Sequence, residues 1–187
     1  MNAQRVRSAD AAHTRKKVYA VLAGGLVLGV GTALTLAAWS DSEFATSDFA
    51  AGVFEFQGST DGTTWADHAT EGEAASLTFS TGFDNLAPDD VVYAPYALQL
   101  TAASSASAAL TAVAPVVSGD LTGQLTFASV ATTAFGCDEA AFAAGTAVPT
   151  TLAPGDIVNL CLQVTTGADI AQGDTGTAVW QWDAVSQ

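Results

Sequence analysis

The chain has 187 residues, 49% of them hydrophobic, enough for one ordinary domain plus a targeting segment. Its net charge is -14, but the charge is unevenly placed: all 5 basic residues (Arg5, Arg7, Arg15, Lys16 and Lys17) precede Val18, and 18 of the 19 acids follow Ala37. The later part has no Lys or Arg to displace counterions from a phosphate backbone, which excludes nucleic-acid binding and favours divalent cations, polycations or a basic partner; the alternative is a plainly solvated acidic surface.

In chain order, the first feature is a basic stretch followed by an uncharged run, Val18 to Trp39. That is the pattern of a secretory signal. The run is about 22 residues, also the length of a membrane span. Gly24, Gly25, Gly29 and Gly31 weaken it as a helix, and Thr35-Leu36-Ala37 offers the small residues a signal peptidase reads. The expected cut lies between Ala37 and Ala38, with Ala38–Trp39 as the second choice, giving a signal over residues 1–37 and an exported domain over 38–187. The alternative is an uncleaved anchor. Basic residues ahead of the run send the domain outside in either case, so the membrane is met only through the N-terminal segment.

Beyond Ser40 the hydrophobic pattern has period two. Phe54 and Phe56 share a face in 53–57, and Leu77 and Phe79 do so in 76–80. Val92, Ala94, Tyr96, Leu98 and Leu100 form a longer face, and Leu125 with Phe127 a short one. Val158, Leu160, Leu162 and Val164 face one way, as do Ala178, Trp180 and Trp182. Residues 103–109 are ambiguous, with a turn at Ser104-Ser105, and 138–148 has room for a short helical turn. Several short strands between Gly, Pro, Asp and Ser clusters predict an all-β fold, a two-sheet sandwich or jelly roll. An internal echo supports this: Leu86-Ala87-Pro88-Asp89-Asp90-Val91-Val92 resembles Leu152-Ala153-Pro154-Gly155-Asp156-Ile157-Val158, each a turn leading into a strand.

Cys137 and Cys161 are the only cysteines. An even, low count in an exported chain predicts one disulfide, closing a loop of about 25 residues for roughly 3 kcal/mol of stabilisation. The alternative is a pair of buried thiols.

Catalytic patterns are missing. The domain has one histidine, His68, and no His-Glu-x-x-His, whereas a catalytic zinc takes two or three His or carboxylate ligands. There is no Gly-x-Ser-x-Gly elbow and no Gly-rich phosphate loop. Neighbouring acids on a strand, such as Asp89-Asp90 or Asp138-Glu139, point to opposite faces rather than across a cleft. The reading is therefore not an enzyme, and no cofactor is expected. Calcium is the candidate ion; Asp84, Asp89 and Asp90 form one candidate cluster, and Asp61, Asp67, Glu71 and Glu73 another.

The junction reads Ala37-Ala38-Trp39-Ser40-Asp41, a polar spacer, then Phe49-Ala50-Ala51-Gly52 and an alternating strand. With Gly29 and Gly31 upstream, this resembles the TasA/camelysin family, whose signal peptides are processed by a SipW-type peptidase. The match is specific at the junction and loose in the middle of the domain. The resemblance implies a jelly-roll-like antiparallel β-sandwich after a hydrophobic signal helix, secreted or held at the cell surface. It also implies biofilm-matrix fibres in which the N-terminal segment, with Phe49, Val53, Phe54 and Phe56, adds as a strand to the next subunit. Val53–Phe56 could instead form the first strand of its own domain. The expected partners are the signal peptidase, further copies of the chain and other surface proteins. The second functional reading is a monomeric surface module that binds a carbohydrate, calcium or a basic partner.

Overall fold

A computed structural model describes residues 16–19, 41–80 and 82–187. The chain divides into two units, Met1–Phe49 and Ala50–Gln187. In the first, residues 16–19 are helical and 41–49 form neither helix nor strand. The rest of the expected signal helix, with the cleavage positions Ala37 and Ala38, lies outside the described residues. No helix among the described residues is long and apolar enough to cross a membrane.

The second unit is all-β. Its elements are β1 (Phe56–Ser59), a 3-10 turn (Glu71–Glu73), β2 (Val91–Leu100), β3 (Ala108–Gly119), β4 (Leu125–Thr132), α1 (Glu139–Ala144), β5 (Thr151–Leu152), β6 (Ile157–Thr166) and β7 (Gly176–Ser186). They make two antiparallel sheets, β1-β2-β6-β4 and β5-β3-β7.

The expected faces of β2 and β6 meet the core. Val92, Ala94, Leu98 and Leu100 on β2, and Leu160 and Leu162 on β6, are buried, and Leu98, Leu100, Leu160 and Leu162 pack with Leu110 of β3 and Leu152 of β5. Burial of one such side chain is worth about 1.5–3 kcal/mol. The cluster therefore joins the sheets into a sandwich. Pro95 sits within β2 without breaking it. It pairs with Cys161 on β6, while β1 reaches only Ala97–Leu100, so among the described residues no strand pairs with the other side of β2 at Pro95.

The echoed turns have one geometry. Asp90 accepts the Ala87 N–H at 2.7 Å through its carboxylate, and Asp156 accepts the Ala153 N–H at 2.8 Å. Each aspartate's own N–H returns to the same alanine's carbonyl, at 3.2 Å and 3.0 Å. The third position is left-handed in both, Asp89 at φ 63° and Gly155 at φ 92°. The two strands then close on each other's turns: Thr166 N–H donates to the Asp90 carbonyl, and Leu100 N–H to the Asp156 carbonyl. A third copy, Ala171-Gln172-Gly173-Asp174, precedes β7, with Ala171 N–H held by the Asp174 carboxylate at 2.8 Å.

Three elements depart from the sequence reading. β1 starts at Phe56, not Val53, because the backbone of 53–55 is taken by the 101–105 turn rather than by a strand. Residues 76–80 alternate in burial, yet form no strand; only Ser80 joins β2, its N–H donating to the Tyr93 carbonyl at 2.7 Å. β3 was not expected. Its run of alanines and Pro115 hides it, and Pro115 falls where the register with β7 shifts between Val113 and Val116, the kind of irregularity at which a sheet tolerates proline.

Candidate assembly surface

Residues 50–55 lead into β1 along the 101–105 turn. Val53 N–H donates to Ser105 Oγ at 2.9 Å, and Glu55 N–H to Ser104 Oγ at 3.1 Å. In return Ser105 N–H reaches the Val53 carbonyl at 2.7 Å, and Thr101 N–H the Glu55 carbonyl at 3.0 Å. A side chain at Gly52 would sit 2.7 Å from Ser105 Oγ, so the Gly of the Phe-Ala-Ala-Gly motif allows this close approach. Val53, Phe54 and Phe56 thus lie on their own domain in the single chain, Phe56 half-buried against the core and Val53 and Phe54 exposed. Phe49 belongs to the other unit, where it is 93% exposed and Phe44 is 92% exposed. Of the four strand-exchange candidates, only Phe56 lies in a hydrogen-bonded strand, β1; Val53 is bonded to the 101–105 turn, and Phe49 lies in neither helix nor strand.

The sheet edges differ in their protection. β1 is covered at Gly58 by a bridge to Ala66, and β4 at Ala131 by a bridge to Thr146. β5 covers β3 only at Ala108 and Ala109. β7 pairs with β3 along one side and, as the sheet's last strand, has no partner on its other side among the described residues. Edge strands are commonly guarded by lysine, proline or a bulge. β3 carries Pro115 and an irregularity. β7, with 11 residues, has neither lysine nor proline, and Asp183 is its single charged residue.

On the outer face of the first sheet, Cys137 and Cys161 form a disulfide with a Cα–Cα distance of 4.9 Å. It fastens α1, capped by Asp138 through the Ala141 N–H at 2.7 Å, over β6, where Cys161 is fully buried. Phe142 of α1 packs on Tyr93 with ring centroids 5.9 Å apart. A bond of this kind fits an oxidising, extracellular-type compartment.

The calcium candidates are not assembled. The Asp90 carboxylate serves its turn, and no three His, Cys, Asp or Glu side chains converge on a metal position among the described residues. In the second cluster, Asp61 accepts from Thr64 N–H at 2.6 Å and Thr63 N–H at 2.8 Å. Those donors, Thr64 first, hold its carboxyl well below the usual carboxylate range. Burial pushes the Tyr96 hydroxyl up.

Sequence reasoning missed the β7 edge as a feature of interest. Its only signal was the absence of guarding residues in an otherwise clear strand. No protein-family model matches this chain, and no curated protein matches it in sequence.

Proposed function

We propose that the chain is an exported structural protein of the cell surface or matrix, which assembles by adding its N-terminal segment as a strand to the next copy. The observation that carries this reading is the unpaired, unguarded edge of β7. A strand-length edge is a template for main-chain pairing, and residues 41–49 offer an aromatic-bearing segment that forms neither helix nor strand of its own. Donor and acceptor are different surfaces, so the contact is heterologous and grows into a filament instead of closing. From β2 onward successive strands alternate between the two sheets, which supports a jelly-roll-like reading of the sandwich. The basic leader and the junction motif support export through a SipW-type peptidase and kinship with TasA-type matrix proteins. The acidic, cation-free domain and its lack of catalytic patterns support contact, not turnover.

The test is removal of residues 41–52 from the processed chain. Fibres seen by electron microscopy should give way to monomers on size exclusion, with the β-rich circular-dichroism spectrum kept. Assembly that persists in the shortened, folded protein overturns strand exchange. Because like-charged subunits repel, light scattering of the intact protein should rise as pH falls from 7 towards 4.

A further inference from the structure

The space between the sheets is filled at one end only. Around Leu100, Leu152 and Leu160 the packing is closed, each at most 2% exposed. Towards Val92 and Val164 the sheets leave a cavity of about 950 Å³, within the size range of small-molecule sites. Its walls are rich in aromatic rings. Phe127 meets Trp180 edge-on with centroids 5.4 Å apart, Phe79 lies 5.7 Å from Trp180, and Tyr96 stacks on Trp182 at 5.2 Å. Asp67, His68, Glu71 and Asp183 also line it. The buried Nδ1 of His68 has no hydrogen-bond partner among the described residues, so this polar rim is not satisfied by the protein alone.

The chemistry of the lining selects the occupant. Aromatic faces present negative charge to a cation, and three carboxylates add to it. The domain holds no Lys or Arg to pair with an anion. The chain's own segment 41–49 carries Asp41, Glu43 and Asp48, like charges to those of the rim, so it is poorly matched to this cavity. We infer that the cavity binds a small organic ammonium ion, with its apolar body between the sheets and its cationic head at the acidic rim to which Asp67, Glu71 and Asp183 belong.

The test is an NMR titration of the full chain, disulfide intact, followed at the indole N–H signals of Trp180 and Trp182. The probes are benzyltrimethylammonium, benzyl alcohol, phenylacetate and tetramethylammonium. Benzyltrimethylammonium should shift both indoles saturably and bind roughly 2–5-fold more tightly than benzyl alcohol, as expected for a partly exposed cation–π contact with acidic neighbours. Phenylacetate should not saturate. The double substitution Asp67→Asn and Glu71→Gln, both at exposed positions, should weaken the preference for the ammonium and leave benzyl alcohol binding intact. Ala114→Trp should fill the cavity and abolish both; if that variant does not fold, the rim pair decides alone. Equal binding by phenylacetate, equal binding by tetramethylammonium, or no saturable shift with any probe overturns the inference. The titration is run at pH 7 under conditions where light scattering shows no assembly, so its outcome is independent of whether fibres form.

Discussion

β6 and β7 are close in length, 10 and 11 residues, and each alternates apolar side chains towards the space between the sheets. On β6 the inward residues are shut away: Val158 is 7% exposed, Leu160 and Leu162 are fully buried, and Val164 is 5% exposed. On β7 the much larger Trp180 and Trp182 stay half-buried. The difference is in the neighbours. β6 lies between β2 and β4 and faces a packed layer up to Leu162, with Val164 at the end of the cavity, whereas β7 ends its sheet and looks onto the cavity along most of its length. Alternation therefore tells which face a residue takes, while the flanking strand and the opposite layer set how deeply it is buried. In this protein the deeply buried strand holds the fold, and the strand left short of neighbours is the one with surface to offer.

The sharpest way to break that comparison is to truncate side chains on each side of it. Leu160→Ala should cost about 2–5 kcal/mol, because it leaves a cavity in a closed core. Val116→Ala, at a residue 68% exposed and lining the cavity, should change stability by no more than about 0.5 kcal/mol. Urea unfolding measures both, and equal losses would show that the two ends are packed alike. Next comes the tie on the outer face. Replacing Cys137 and Cys161 together by alanine should cost roughly 3 kcal/mol on the chain-entropy account. The loss should appear as a lower unfolding midpoint, with early hydrogen exchange in α1 and 133–146 and late exchange in β2. Uniform exchange across both regions would mean that the bond does not fasten the helix locally.

Much of this contrast can be read in the residues. β2, β6 and β7 follow from alternation, and α1 from Asp138 ahead of an alanine-rich turn. The Ala-Pro-x-Asp echo is legible because its chemistry is local: a left-handed third residue and an aspartate that caps its own turn. The third copy escaped because Gln172 replaces the proline, although Gly173, at φ 94°, keeps the geometry. β3 was hidden because its stretch from Thr111 to Ala114 is exposed and made mostly of small residues, so it carries little alternating hydrophobic signal. Residues 76–80 failed in the opposite direction. They alternate, but a strand is defined by its partner, and only Ser80 finds one. The open β7 edge and the cavity are properties of what is not opposite a strand, and a periodicity in one segment cannot report that.

The turn motif gives a smaller test. Asp156→Ala removes the carboxylate that accepts the Ala153 N–H and should cost about 1 kcal/mol, as for a single hydrogen bond. Asp174→Ala before β7 should cost less, because the strand it launches buries less. Chemical denaturation of the two variants side by side checks the order. A greater loss at Asp174 would mean that the β7 end contributes more to stability than its exposure indicates.

The smallest expected effect is a local one at Asp61. Its carboxylate is stabilised by the Thr64 and Thr63 N–H groups, so its folded pKa lies below the unfolded value of about 3.9. For an acid with a depressed pKa, the native state gains from ionisation. The gain is fully present above the unfolded pKa and is lost as pH falls from there through the lower folded value. The group is fully exposed, so this should appear as a site-specific titration more than as a shift in global unfolding. The Asp61 carboxyl carbon followed by NMR from pH 6 downward should remain in its ionised position at pH 4, where an unperturbed aspartate is about half protonated. Asp61→Asn should remove the acid-dependent change at the Thr63 and Thr64 amides and leave the β2–β6 core signals unmoved. A midpoint near 4 would mean that the turn at 59–64 is not held by that carboxylate, and that this loop belongs with the loosely fixed part of the molecule.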